Sequence, residues 1–259
     1  MERVGVRIKL GKEAQESAVY YHQLAKKIKK KIKGVEKAIG ETKKKIRKVE
    51  ARGIKKKEAK VRVVREREWY EAFGWSFTNS GKLVLFGKNA KQNDVVVARH
   101  MEEGDLFFHA DIRGGSATIL KGGAGAKKED REFAAVIAAS FSKAWGKGFS
   151  QADAYCVEKE QLSKHASGGF VGAGGFAISG KREWYPNTPL KLRVGLDEMG
   201  RVVVGAENSG WMGKSVVVVP GKTAKGKIGK EIGEILGADE SEVVHMLPSG
   251  SFALVERQD

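Results

Sequence analysis

At 259 residues, 41% of them apolar, the chain has material for one large domain or for a medium domain with an appendage. Its formal charge of +16 points toward polyanions, either nucleic acid or an anionic membrane face. The single cysteine, Cys156, excludes a disulfide framework and reads as a small buried hydrophobe in a reducing, cytoplasmic compartment; no apolar run approaches the ~20 residues that cross a bilayer.

Met1 to Leu10 alternates charged and apolar residues and lacks the continuous apolar core of a signal peptide. The charge gathers just after it. Between Lys26 and Arg67 there are 20 Lys and Arg against 5 Glu, a net +15, which leaves 28 basic and 27 acidic residues, or +1, for everything else. The same stretch carries a 4-3 rhythm at Ala14, Ala18, Tyr21, Ala25, Ile28, Ile32, Val35, Ile39, Thr42, Ile46 and Val49, the seam of a coiled coil. A helix over about Glu13–Glu50 is expected, roughly 55 Å long at 1.5 Å per residue. A helix selected only for solubility would mix Glu with Lys at i, i+4. This one leaves its lysines uncompensated, which favours contact with nucleic acid. Its stripe is too narrow and too poor in Leu, Phe and Trp for a membrane surface. A turn near Gly53 and a second helix over about Lys55–Phe73 complete the arm.

From Trp75 the texture becomes that of an α+β domain with a largely antiparallel sheet. A hairpin is expected from Trp75 to Phe86 around Asn79–Gly81, then a polar loop Gly87–Asn93 and a short helix Asp94–Met101. Strands follow at Asp105–Asp111 and Ala117–Leu120, flanking a tight loop Arg113–Ser116. A helix is expected over Glu129–Trp145, a short strand at Tyr155–Val157, and a glycine-rich loop through Gln161–Gly169. Gly175–Ser179 reads as a strand and Gly180–Arg182 as a basic turn. A hairpin Leu190–Gly195/Arg201–Gly205, a strand Ser215–Val219, a helix Ala224–Leu236 and a strand Ser251–Glu256 close the chain. The expected domains are 1–73, 74–195 and 196–259, the last packed on the second.

Two chemical motifs fail on inspection. Val216–Thr223 imitates a P-loop, but the required first glycine is Val216, so no phosphate cradle forms. His109 and Asp111 sit two apart on a strand and share a face. With only five histidines and no Cys/His cluster, they lack the companions of a metal site, and no nucleophile elbow surrounds Ser116. No catalytic residue, metal or cofactor is therefore expected. What remains is a set of polar loops carrying Lys88, Asn89, Gln92, Asn93, Arg113, Lys164, Lys181 and Arg182, with Trp184 among them and the His109–Asp111 pair beside them. Arg and Lys suit phosphates, Asn and Gln suit base edges, and exposed aromatics suit unstacked bases. Trp75 and Trp145 are expected in the core.

Several of these runs, in order, resemble one family. Trp69-Tyr-Glu-Ala-Phe-Gly-Trp75, Gly87-Lys-Asn-Ala-Lys-Gln-Asn93 and Gly104-Asp-Leu-Phe-Phe-His-Ala-Asp-Ile-Arg-Gly114 are similar to the NFACT-R domain of NEMF-like ribosome quality control factors, bacterial members of which are often labelled fibronectin-binding protein A. Ser142–Trp145, Gln161–Lys164, Ser167–Gly169, Gly175-Phe176 and Gly180–Arg182 continue the likeness, and Val4 through the lysine-rich helix resembles the coiled coil before that domain. Where the family has a tryptophan in the strand after the Ser-Lys-Ala-Trp helix, this chain has Cys156. The resemblance implies an RNA-binding protein of stalled-ribosome quality control, with tRNA and the large ribosomal subunit as partners. It also implies that the family's N-terminal domain and helix–hairpin–helix segment do not precede Met1. A separate protein supplying that half, or self-association through the seam, is then expected. A general nucleic-acid binder outside translation, and an RNA-modifying or hydrolytic enzyme using His109 and Asp111, stay open as alternatives.

Overall fold

The computed structural model describes residues 14–51, 67–166, 169–210 and 213–258. The chain divides into two compact units, Met1–Arg65 and Glu66–Asp259.

In the first unit, helix α1 runs over Ala14–Ala51, 38 residues without a break. The sequence rhythm and the structure agree on it. Ile28, Ile32, Val35, Ile39 and Ile46 of the seam are all about half exposed. Thr42, the seam's polar member, turns its hydroxyl back onto the Ala38 carbonyl at 2.9 Å, so it presents mainly its methyl group. The expected turn at Gly53, and the second helix as far as Glu66, lie outside the described residues. The described end of that second helix is not α-helical: Trp69–Ala72 is a single 3₁₀ turn. Its aromatic residues are held by neighbours rather than by helical periodicity, Trp69 stacking on His100 and Tyr70 packing edge-on against Trp75.

The second unit is built on two antiparallel sheets. Strands β1 (Gly74–Phe77) and β2 (Leu83–Phe86) form the expected hairpin. Helix α2 (Ala90–His100) follows, then β3 (Leu106–Ala110) and β4 (Thr118–Leu120). Helices α3 (Lys128–Ser140) and α4 (Lys143–Gly146) lead to β5 (Gln151–Glu158). Four two-residue strands, β6 (Leu162–Ser163), β7 (His165–Ala166), β8 (Gly169–Phe170) and β9 (Ala177–Ile178), pair as β6–β9 and β7–β8. Strand β10 (Glu183–Pro189) closes the first sheet, whose order is β1-β2-β4-β3-β5-β10. The second sheet takes β11 (Leu192–Leu196), β12 (Val202–Ala206), β13 (Ser215–Ala224) and β14 (Ser251–Gln258) in the order β12-β11-β13-β14. Helices α5 (Lys225–Leu236) and α6 (Glu240–Met246) connect its last two strands.

Helix α3 touches strands of both sheets and is buried from Phe133 to Ser140. Four alanines in that run let strands approach it from both sides, and the apolar residues of both sheets merge into one core. The expected helix Glu129–Trp145 is broken at Phe141. Ser142 causes the restart: its hydroxyl donates to the Ala139 carbonyl at 2.7 Å and accepts the Ala144 N–H at 3.1 Å, capping α4. The turn delivers Trp145 into the core, where its ring lies 5.3 Å from Phe252 and its indole N–H donates to the Ser251 carbonyl. One tryptophan thus hooks β14 to the α3–α4 corner. Cys156 is buried on β5 as expected, and burial, with the Glu183 carboxylate beside it, pushes its thiol up to about 12.

Candidate nucleic-acid interface

A cleft of about 1220 Å³ opens between the first sheet and the α5–α6 end of the body. That exceeds the roughly 300–1,000 Å³ of a small-molecule pocket and suits a strand passing through. Its walls come from the start of α2, the turn after β3, helix α4, the Val171–Phe176 loop, the first residue of α5 and the end of α6.

The α2 wall is set by a close approach of backbone. Asn89 caps the helix, its side chain accepting the Gln92 N–H at 3.0 Å. A side chain at Gly87 would stand 2.2 Å from Asn93 Oδ1, and one at Gly174, where φ is +75°, would collide with Ala90. Gly87 lets the end of β2 pass close to the first turn of α2, and Gly174 lets the Val171–Phe176 loop press onto it. Asn93 bridges the result, donating toward the Gly115 and Gly174 carbonyls and accepting the Ala117 N–H. Asp94 accepts the Gly174 N–H at 3.0 Å and pairs with Lys164, whose hydrogen bond holds the carboxyl below its ordinary value. Lys164 also donates to the Gly175 carbonyl and lies 4.1 Å over the Phe176 ring.

This geometry sorts the residues expected at the site. Lys88, Asn89, Asn93, His109 and Arg113 line the cleft together. Asn93 and Gln92 have their amides engaged by the fold, Gln92 donating to the Ala72 carbonyl and accepting the Lys88 N–H. Lys164 is a clamp on the loop. Asp111 is exposed just beyond β3, where its charge reaches His109. Burial holds the His109 imidazole below its ordinary value, although the backbone of Ala110 and Gly115 and the Asp111 carboxylate act the other way. Lys181, Arg182 and Trp184 are not part of the cleft lining, but two of them join its edge through Tyr155. The Arg182 guanidinium lies 4.6 Å from the Tyr155 ring, and Trp184, 47% exposed, packs edge-on against the same ring at 5.4 Å.

Sequence reasoning missed Lys143, Lys147, Lys225 and His245, which the fold gathers from three separate segments into the same lining. No short motif joins them. The lining as a whole holds five Lys or Arg side chains (Lys88, Arg113, Lys143, Lys147, Lys225) and two histidines, with no Asp or Glu. Residues 68–259 carry 24 basic and 24 acidic side chains, so the surrounding body is neutral. The concavity gathers five of these basic side chains and none of the carboxylates, an arrangement that focuses an attractive field on an anion entering the cleft. Among the described residues, no three of His, Cys, Asp and Glu are grouped to hold a metal ion.

Residues 72–180 match the family described as the NFACT protein RNA binding domain. The chain is 38% identical over 208 residues to the archaeal Rqc2 homolog aRqcH of Methanocaldococcus jannaschii, covering 76% of this chain and 31% of that protein. It is 28% identical over 173 residues to the human ribosome quality control complex subunit NEMF, covering 65% of this chain and 16% of that one. A solved structure of the C-terminal part of the fibronectin/fibrinogen-binding protein from Streptococcus suis aligns with a TM-score of 0.40 and 22% identity, over 68% of this chain and 77% of that one. The chain spans less than a third of either of these two quality control relatives. The family match ends at residue 180, so the α5–α6 wall of the cleft lies beyond it.

Proposed function

The chain belongs to the NEMF-like family that carries the NFACT RNA-binding domain, and from that premise we propose that it binds RNA in ribosome-associated quality control, with the carboxylate-free cleft of the body as one seat of the strand and the lysine face of α1 as the other. The observation that carries this reading is the cleft lining: seven basic or imidazole side chains, no acid, on a body of zero net charge. Phosphates meet Lys and Arg inside the cleft. At its edge, Trp184 and the Arg182–Tyr155 stack offer faces for unstacked bases.

The named relatives are ribosome quality control factors, and tRNA on the large subunit is the RNA this reading favours here, in the cytoplasm. His109 is read as a wall residue contacting RNA, with Asp111 exposed beside it. The test is ultraviolet crosslinking of the full chain in cells of its source, followed by sequencing of the bound RNA. Enrichment of tRNA and large-subunit rRNA is the expected result. Recovery of unrelated RNA without ribosomal species would favour a general nucleic-acid binder instead.

The seam of α1 adds a second surface. An apolar ribbon half exposed along Ile28–Ile46 costs roughly 25 cal/mol per Å² in water. We read it as the contact for another helix, from a second copy of this chain or from a partner protein. Ile28→Asp with Ile32→Asp should abolish the association seen by light scattering, or in co-purification from the native cell, while leaving the body folded. A strict monomer with no co-purifying partner would contradict this reading.

A further inference from the structure

Inside the cleft one group is out of balance. Lys88, in the turn before α2, has its ammonium buried with no hydrogen-bond partner. Burial, and then the charge of Lys225, push it down to about 8, so it is still largely protonated at neutral pH. Its neighbours are also basic. Lys225, the first residue of α5, donates to the Leu247 carbonyl at 2.8 Å and is lowered by burial. His245, in the last turn of α6, is lowered by burial and then by Lys88, Lys225 and Arg67. All three line the cleft, which has no carboxylate to answer them. Burying an unpaired ammonium beside two further bases is costly unless an anion completes the site.

We propose that Lys88, Lys225 and His245 form the seat of one backbone phosphate of the RNA strand, contributed jointly by the family-matched domain and by the α5–α6 segment beyond it. A phosphodiester carries one negative charge and two unesterified oxygens. It can accept from Lys88 and a second donor at once, as charge-assisted bonds that no protein group in the cleft lining supplies. The seat would fix the register of the strand without reading its sequence. The inference rests on the reading of the cleft as an RNA site and adds where a phosphate is held.

The test compares the full chain with Lys88→Met, which keeps an unbranched side chain one atom shorter and removes its charge. Affinity for a single-stranded oligoribonucleotide is measured across a salt series, with inorganic phosphate titrated separately. Loss of one phosphate contact makes the log–log salt slope shallower by about 0.7–0.9. The melting temperature of Lys88→Met should equal or exceed that of the parent, since an unpaired buried charge has gone, and Lys225→Gln should shift the slope in the same direction. Inorganic phosphate should weaken RNA binding by the parent chain more than by Lys88→Met. An unchanged slope in a folded Lys88→Met overturns the proposal, whether or not free phosphate binds there, while leaving RNA binding by the parent intact. If the parent chain binds no RNA, the functional reading fails first and the seat fails with it.

Discussion

The arm and the cleft carry positive charge in opposite ways. On α1 the lysines stand in water along one helix, and their excess is visible by counting letters between Lys26 and Arg67. In the body the count is balanced, 24 against 24, and the excess exists only after folding has drawn Lys88, Arg113, Lys143, Lys147 and Lys225 to one concavity. The two should therefore behave differently. Exposed lysines in high dielectric give a long-range attraction that salt erodes quickly. Partly buried cations beside aromatic rings are less screened and are placed to hold particular phosphates and bases.

The largest effect that separates them is on stability. Trp145→Ala removes the ring from Phe252 and the donor from the Ser251 carbonyl, and should cost the body about 3–5 kcal/mol in denaturant unfolding. The helical signal of α1 should survive where the body has melted. Loss of both signals in one transition would mean the units are not energetically distinct.

Next in size is the arm itself. For the parent chain, neutralising about six phosphates gives a log–log salt slope of about −4 to −5. Replacing Lys29, Lys30, Lys31 and Lys33 with Gln should make that slope shallower by about three and, taken over the decade below 1 M, lower affinity at 0.1 M salt on the order of a thousandfold. A slope that does not move would take the arm out of the RNA footprint.

Smaller losses are expected at the cleft edge. Trp184→Ala should weaken binding of single-stranded RNA by about 1–3 kcal/mol, roughly five- to 150-fold, with its salt slope unchanged, because stacking releases no counterions. Lys181→Ala with Arg182→Ala should weaken binding and also flatten the slope, at an unchanged melting temperature. These are distinct signatures on neighbouring residues, readable in one salt series.

The smallest effect is with pH. Lys88 is lowered when folded, so between about 8 and its ordinary 10.5 the unfolded chain holds the proton that the folded chain has released. Through this residue, stability should rise with pH across that window, and RNA affinity should fall, because the phosphate needs the ammonium. Lys225 lies lowered beside it and acts in the same sense. Lys88→Met should flatten much of the decline in affinity measured from pH 7 to 9.

Much of this fold was legible, for identifiable reasons. Helix α1 announced itself through eleven positions in a 4-3 rhythm, and the β1–β2 hairpin through alternation around Asn79–Gly81. What escaped had weak local signals. Helix α2 starts at Ala90, four residues before the expected Asp94, because Asn89 is its cap rather than part of a loop. Strand β10, Glu183–Pro189, contains two prolines and a bulge at Asn187, where φ is +52°; it survives as the edge of its sheet, where a missing N–H costs least. Strand β13 continues to Ala224 instead of stopping at Val219, bulging between Pro220 and Thr223. That bulge is the true shape of the P-loop lookalike, and it positions Lys225. Helix α6 went unread although Asp239 caps it, and with it went His245.

The site was legible to a lesser degree. Polar residues in glycine-rich turns pointed to the cleft, but sequence cannot say whether an amide faces a ligand or its own backbone. Gln92, Asn93 and Lys164 proved to be the framework of the wall, while Lys143 of its basic lining lay in a stretch expected to be plain helix and Lys147 just beyond it.

The most direct test of the cleft as an RNA seat is to irradiate the full chain with a single-stranded oligoribonucleotide and map the crosslinked peptides by mass spectrometry. Crosslinks at Tyr155, Phe176 or Trp184, together with peptides spanning 87–93 and 225–249, are the predicted result. Crosslinks confined to residues 14–67, with the cleft peptides unmodified, would contradict it and leave the arm as the RNA-binding surface.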